Sequence, residues 1–111
     1  MSHKEYTEKD WELFKEKIGD WQEAYMEKLV KEYIELLSSD QKASEKFWEL
    51  DKRIKEHKKN AGVMVDMRRS KVVENVALLL CEGAITKDDL NGFTSIFKNT
   101  LRSWLSPYMD I

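Results

Sequence analysis

The sequence predicts an all-α protein: a single small bundle of four or five helices, in which a central fourth helix is buried. Apolar residues recur at spacings of three and four along most of the 111 residues, which is typical of amphipathic helices. Four glycines and one proline punctuate these stretches. No segment alternates with period two for long enough to indicate a strand. A chain of this length fits one domain.

The first predicted helix begins at a capping box formed by Thr7 and Asp10. Its apolar stripe consists of Trp11, Phe14 and Ile18. Gly19 interrupts the pattern, and Asp20 can cap a second helix from about Trp21 to Leu37. The buried stripe of that helix is expected to contain Tyr25 or Met26, Leu29, Val30, Tyr33, Ile34 and Leu37. Because the apolar spacing stays in phase across Gly19, one long bent helix is an alternative.

A third helix is predicted from about Gln41 to Asn60, after the break at Ser38, Ser39 and Asp40. Apolar positions alternate along it at spacings of four and three, as in a heptad seam: Ala43, Phe47, Leu50, Ile54 and His57. The seam is two to three heptads long. We therefore expect an antiparallel partner helix within the same chain to cover it.

The fourth predicted helix runs from an N-cap at Asp66 to about Glu82, and Gly83 ends it. Its expected buried residues are Val72, Val73, Val76, Ala77, Leu79 and Leu80. Because they occupy much of its circumference, this helix is predicted to be central. A fifth helix begins at the capping box of Thr86 and Asp89 and ends at Pro107. It carries Leu90, Phe93, Phe97, Leu101 and Trp104.

Composition favours a cytoplasmic protein without a membrane partner. The longest apolar run, Val76–Cys81, has six residues, whereas a membrane-spanning helix needs about 20. The N-terminal residues do not resemble a signal peptide. Cys81 is the only cysteine, so no internal disulfide or cysteine-based zinc site is expected. Its place on the apolar fourth helix predicts a buried side chain.

Charge is distributed unevenly along the chain. Residues 1–50 have a net charge of −5, and residues 51–111 have a net charge of +3. The excess positive charge defines a basic patch that could bind phosphate or an acidic partner: Lys52, Arg53, Lys55, Lys58, Lys59, Arg68, Arg69 and Lys71. Arg68 and Arg69 are expected in the first turn of the fourth helix, where backbone N–H groups attract anions. Pairing with the acidic first half of the chain is the alternative.

Five acidic residues define an acidic ridge if the first two helices are continuous: Glu12, Glu16, Asp20, Glu23 and Glu27. Like charges at these spacings destabilise a helix by about 0.2–0.5 kcal/mol per pair. The ridge could therefore mimic nucleic-acid phosphates and bind a basic groove on another protein. An ordinary solubilising helix face is the alternative.

Two groups of aromatic residues are candidates for contacts between proteins. Phe47 and Trp48 point about 100° apart on a helix, so both cannot face one core. Trp48 is a candidate aromatic anchor, or it packs against a neighbouring helix. Near the C-terminus, an apolar tail either closes the core or forms a homodimer contact: Trp104, Leu105, Tyr108, Met109 and Ile111.

Enzymatic chemistry is not indicated. The sequence has no phosphate-binding loop, nucleotide fingerprint, nucleophile elbow or zinc-ligand spacing. His3 and His57 stand apart from other potential metal ligands, so we expect no metal, cofactor or catalytic residue. The predicted fourth and fifth helices could form a helix-turn-helix, but Asp88 and Asp89 stand where a DNA-reading helix normally carries basic residues.

Parts of the sequence resemble a family of small uncharacterised helical proteins of Gram-positive bacteria. The resemblance covers residues 26–97 and includes Lys42–Lys55, Gly62–Ser70 and Glu82–Leu90. Members occur near mobile genetic elements and are sometimes labelled multidrug transporters, a label that the hydropathy of this chain does not support. The resemblance implies an anti-defence role, such as inhibition of a CRISPR effector.

The leading prediction is a non-enzymatic protein-binding inhibitor or regulator that acts through a charged surface, most concretely an anti-CRISPR-type protein that binds a nuclease effector. Its expected partner is a larger protein or a protein–nucleic-acid complex. The alternative is a dimeric nucleic-acid-binding transcriptional regulator that uses Arg68, Arg69 and Lys71.

Overall fold

A computed structural model describes residues 5–106, and all regular structure in this range is helical. The α-helices are α1 (Glu8–Leu37), α2 (Ala43–His57), α3 (Val72–Cys81) and α4 (Ser95–Leu105), with 3₁₀ turns at Arg69–Lys71 and Lys87–Leu90. The all-α prediction is confirmed. The predictions for His3, Pro107, Tyr108, Met109 and Ile111 concern residues outside this range. Within it, no helix has both the length and the apolar character needed to cross a membrane.

One continuous helix replaces the first two predicted helices, so the alternative of a single long helix is correct. α1 begins at the predicted capping box, where the carboxylate of Asp10 accepts a 2.8 Å hydrogen bond from the N–H of Thr7. Gly19 lies inside α1 and is exposed, and a Cβ atom there would meet no other atom within 4 Å. Asp20 therefore lies within a helix and caps none.

The hydrophobic core lies between the first half of α1 and the segment from α3 to α4. Its largest fully buried apolar side chains are Phe14, Val72, Val76, Leu79, Phe97 and Leu101. Seven of the ten residues of α3 are buried, as expected for the predicted fourth helix. No residue of α2 is fully buried, however, so a bundle of four or five helices around a central helix is not confirmed.

Two predicted helix starts are wrong, one because side-chain hydrogen bonds hold the preceding backbone and the other because a glycine with positive φ interrupts the helix. α3 begins at Val72 and not directly after the predicted N-cap Asp66, whose carboxylate accepts hydrogen bonds from the backbone and side chain of Arg68. The predicted fifth helix is divided. Its first part is the 3₁₀ turn after Thr86, and α4 starts only after Gly92, which has a φ of +97°.

The second half of α1 and α2 form an antiparallel hairpin that extends from the core, which makes the molecule 59 Å long but only 27 by 23 Å across. Hydrogen bonds anchor its base. The amide of Asn60 donates to the hydroxyl of Tyr25, and the carboxylate of Glu82 accepts from the N–H groups of Ala61 and Gly62 at 2.9 and 3.0 Å. The base of the hairpin is thereby tied to α1 and to the end of α3.

Candidate interaction surfaces

The acidic ridge is a single stripe on α1. All five of its residues are exposed, and their spacings of four, four, three and four keep them on one face of the uninterrupted helix. Glu12 pairs with Lys15 at 3.1 Å, and Glu27 lies 4.0 Å from Lys31. The middle of the ridge, Glu16, Asp20 and Glu23, has no ion-pair partner among residues 5–106. Exposed negative charge is therefore concentrated there.

The residues of the basic patch do not form one stripe comparable with the acidic ridge. Five of its residues belong to α2 or the turn after it, and three lie around the 3₁₀ turn before α3. Five of the eight are in ion pairs: Arg53 with Glu49, Lys55 with Asp51, Arg68 with Asp66, Arg69 with Glu8 and Lys71 with Glu74. The exposed Lys52, Lys58 and Lys59 have no ion-pair partner within the described part of the chain.

Arg68 and Arg69 do not lie in the first turn of an α-helix, contrary to the prediction. Hydrogen bonds from Arg68 lower the pKa of the exposed Asp66, which ties this arginine to its own loop. Arg69 contacts the beginning of α1, where it pairs with Glu8 at 2.7 Å and lies 5.8 Å from the ring centre of Trp11. The Arg69 ion pair is the one among residues 5–106 that joins distant parts of the sequence.

The aromatic anchor candidate, Trp48, is exposed at the tip of the hairpin. Its side chain is 65% exposed, and that of the adjacent Phe47 is 63% exposed. Their rings meet edge to face with centres 5.0 Å apart. The heptad seam of α2 is only partly covered by α1: Leu50, Ile54 and His57 are half-buried, whereas Ala43 and Phe47 are exposed.

The two faces of the hairpin differ in polarity, which the sequence did not indicate. On one face, an apolar groove of about 270 Å³ is lined by Met26, Leu29, Val30, Tyr33, Ile54, His57, Lys58 and Val63. The other face has a polar groove lined by Glu32, Tyr33, Glu49, Lys52, Arg53, Glu56 and His57. The hydroxyl of Tyr33 is hydrogen-bonded to Nδ1 of His57 between the two grooves. Burial raises the pKa of Tyr33, and the nearby Glu32 adds to this shift.

Several apolar residues of α1 are exposed although the sequence predicted that they would be buried. Val30, Ile34 and Leu37 are 51%, 56% and 47% exposed, and Leu36 is buried in their place. The error arose because helical spacing alone does not reveal which side a second helix covers. These three residues lie on the same face of α1 as the acidic ridge, since Glu27 precedes Val30 by three residues.

The remaining candidates for chemistry do not converge on one site. Cys81 is exposed, so the prediction that it is buried is wrong. His57 is half-buried at the seam, as expected. Within residues 5–106 there is no cluster of three or more His, Cys, Asp or Glu side chains that could hold a metal ion. A small cleft elsewhere is lined by Lys87, Asp88, Leu90, Lys98 and Arg102.

No protein-family model, curated protein or solved structure matches the chain. The mobile-element resemblance therefore remains a prediction, and the functional argument depends on the surfaces described above.

Proposed function

We propose that this protein is a non-enzymatic inhibitor or regulator that binds a basic surface of a larger protein or protein–nucleic-acid complex. The acidic ridge is the contact surface. The observation that supports the proposal is the placement of Glu12, Glu16, Asp20, Glu23 and Glu27 on one exposed face of an uninterrupted helix. Because like charges at these spacings oppose helix formation, their retention on one face is explained by a partner that supplies cations.

The dimensions of the ridge suit a surface that normally binds nucleic acid. Fifteen residues separate its ends, which is about 22 Å along a helix. Its charges therefore follow one another at about 5–6 Å, within a factor of two of the axial charge spacing of about 3.4 Å along one nucleic-acid strand. Unpaired carboxylates at this spacing can occupy part of a groove that otherwise holds phosphates.

An anti-CRISPR-type inhibitor is the concrete form of this proposal. A guided nuclease holds its nucleic acids in a positively charged channel, which is a surface that an acidic ridge can enter. The resemblance to proteins encoded near mobile elements agrees with such a role. The inhibitor would act in the cytoplasm of the bacterial host, where the nuclease is found.

The basic patch supports the transcriptional-regulator alternative less well. Arg68, Arg69 and Lys71 each have an acidic partner, and these pairs must be broken or shared before the cations can bind phosphate. The nearby acidic ridge also repels nucleic acid. We therefore expect no shift of duplex DNA in an electrophoretic assay at physiological salt, whereas a clear shift would favour the regulator.

Binding to a Cas9-type effector loaded with guide RNA tests the inhibitor proposal. We expect saturable binding that weakens as salt increases, together with reduced cleavage of target DNA. The triple variant Glu16→Lys, Asp20→Lys, Glu23→Lys should lower the affinity about 100-fold or more, because it replaces attraction by repulsion at three positions. The matched control reverses the unpaired cations of the basic patch: Lys52→Glu, Lys58→Glu and Lys59→Glu.

The two triple variants distinguish the possible contact surfaces. Loss of binding in the ridge variant with little change in the control supports the ridge. Loss of binding only in the control would show that the basic patch is the contact surface. Equal affinities for all three proteins would overturn a charge-based contact. If the unmodified chain does not bind the effector, the anti-CRISPR form of the proposal is wrong.

A further inference from the structure

The hairpin carries a protruding aromatic residue and a groove on the same face. Phe47, at the tip, precedes Ile54 by seven residues on α2, and Ile54 lines the apolar groove near the base. Seven residues are nearly two helical turns, so both side chains lie on one stripe, about 10 Å apart along the helix axis. Both features are accessible in the described part of the chain, because Phe47 is 63% exposed and the groove is open.

We propose that a second copy of this chain covers this face, with two hairpins packed antiparallel about a two-fold axis. Such an axis between the tip and the groove places each Phe47 in the groove of the other copy, so that one contact is made twice. The same rotation brings Val30 opposite Ile34 of the second copy. The groove, at about 270 Å³, has room for an aromatic ring. This inference is independent of the proposed function.

Charge favours a second copy over an anionic partner. The centre of the face is apolar, and its charged residues lie at the edges: Glu27 on α1 and Lys58 on α2. Lipid headgroups of negative charge and nucleic acids would be repelled by the acidic ridge, which continues from Glu27 on the same side of α1. An antiparallel pair instead places the two ridges at opposite ends of the dimer. Glu12, Glu16 and Asp20 then extend past the tip of the second copy and stay accessible.

The size of the face indicates a dimer that depends on concentration. α2 has 15 residues, or about 22 Å, and two helices side by side are about 20 Å wide. Two such faces bury about 900 Å² in all, which is in the range of weak specific interfaces, below about 1,200 Å². We therefore expect monomers when the protein is dilute and dimers at concentrations of tens to hundreds of micromolar.

Sedimentation equilibrium of the full chain over about 1–500 µM tests the proposal. The average mass should rise with concentration from 13.2 kDa towards twice that value. Phe47→Asp should keep the mass at 13.2 kDa throughout, and Ile34→Asp should do the same as a second variant on the other helix. Ile96→Asp is the matched control, because Ile96 is an exposed apolar residue on α4. It should dimerise like the unmodified chain, and circular dichroism should show equal helicity for all four proteins.

Disulfide trapping tests the antiparallel arrangement. Phe47→Cys and Lys58→Cys, each combined with Cys81→Ser, should form a mixed disulfide when the two proteins are mixed and oxidised. Phe47→Cys with Cys81→Ser alone should not, because the two copies of position 47 would lie about 16 Å apart. A monomeric mass at every concentration would overturn the dimer. Dimers unaffected by both Asp variants would overturn this face, and efficient crosslinking of position 47 to itself would overturn the arrangement.

Discussion

At the scale of single residues, Asp10 does most to join distant parts of the chain. It is fully buried, and its carboxylate accepts hydrogen bonds from the backbone and hydroxyl of Thr7 and from the backbone and hydroxyl of Thr94, at distances of 2.6–2.9 Å. Thr94 is the N-cap of α4, so one carboxylate fixes the starts of two helices. The sequence predicted the local half of this arrangement. It could not predict the contact with Thr94, because no local pattern reports a contact across 84 residues.

Replacing Asp10 by Ala should lower the free energy of unfolding by about 3 kcal/mol, because buried donors of Thr7 and Thr94 lose a charged acceptor. Asp89 provides a matched control, since it forms the same local capping box with Thr86 but has no described long-range hydrogen bond. Asp89→Ala should cost only about 1 kcal/mol. Urea denaturation measures both values. Equal losses would show that the bonds to Thr94 contribute little.

The pH dependence of stability should also report on Asp10. Burial alone would raise its pKa, but hydrogen bonds from Thr94 and Thr7 outweigh burial and hold the pKa below the ordinary value of 3.8. A carboxylate whose pKa is lowered by folding contributes stability above its unfolded pKa and loses that contribution as the pH falls through the folded pKa. The difference in unfolding free energy between the unmodified chain and Asp10→Asn should therefore be constant at neutral pH and shrink below 3.8. A difference independent of pH would contradict this.

At the scale of elements, two glycines differ in whether the surrounding structure leaves room for a side chain. A Cβ atom at Gly62 would lie 2.2 Å from the ring of Tyr25, whereas Gly19 lies in α1 with open space around it. Gly62→Ala should therefore destabilise the protein by about 1–3 kcal/mol. Gly19→Ala should stabilise it by about 0.5–1 kcal/mol, because alanine loses less backbone entropy in a helix. Thermal unfolding of both variants tests this, and a stable Gly62→Ala would show that the base of the hairpin can shift.

Gly19 and the apolar residues of α1 show how much of the helices the sequence could predict. Helical spacing located most of the helices, and the capping box at Thr7 located the start of α1. The in-phase apolar stripe already indicated that α1 could continue through Gly19. The interpretation of Val30 and Ile34 as buried failed for another reason. An apolar position in a helix reveals a preference for burial, but whether another helix covers it depends on tertiary packing.

At the scale of the whole molecule, local ion pairs change the uneven distribution of charge between the two halves of the sequence. Five residues of the basic patch have acidic partners, whereas the middle of the acidic ridge has none within the described part of the chain. Two segments of opposite net charge in sequence therefore become one continuous negative stripe and a dispersed set of cations. Continuity of α1, which the sequence left open, produces the negative stripe.

Burial is also uneven across the molecule, and this predicts which helix unfolds locally most often. α3 has seven buried residues, while α2 has none and packs against α1. Amides of α2 should therefore exchange with deuterium at least about 10-fold faster than those of α3 in dilute protein, because local opening of α2 exposes little apolar surface. Exchange followed by mass spectrometry measures this ratio. If two hairpins pack together, protection of α2 should rise with protein concentration while that of α3 stays constant. Exchange in α2 as slow as in α3 at low concentration would show instead that the hairpin and the core unfold as one unit.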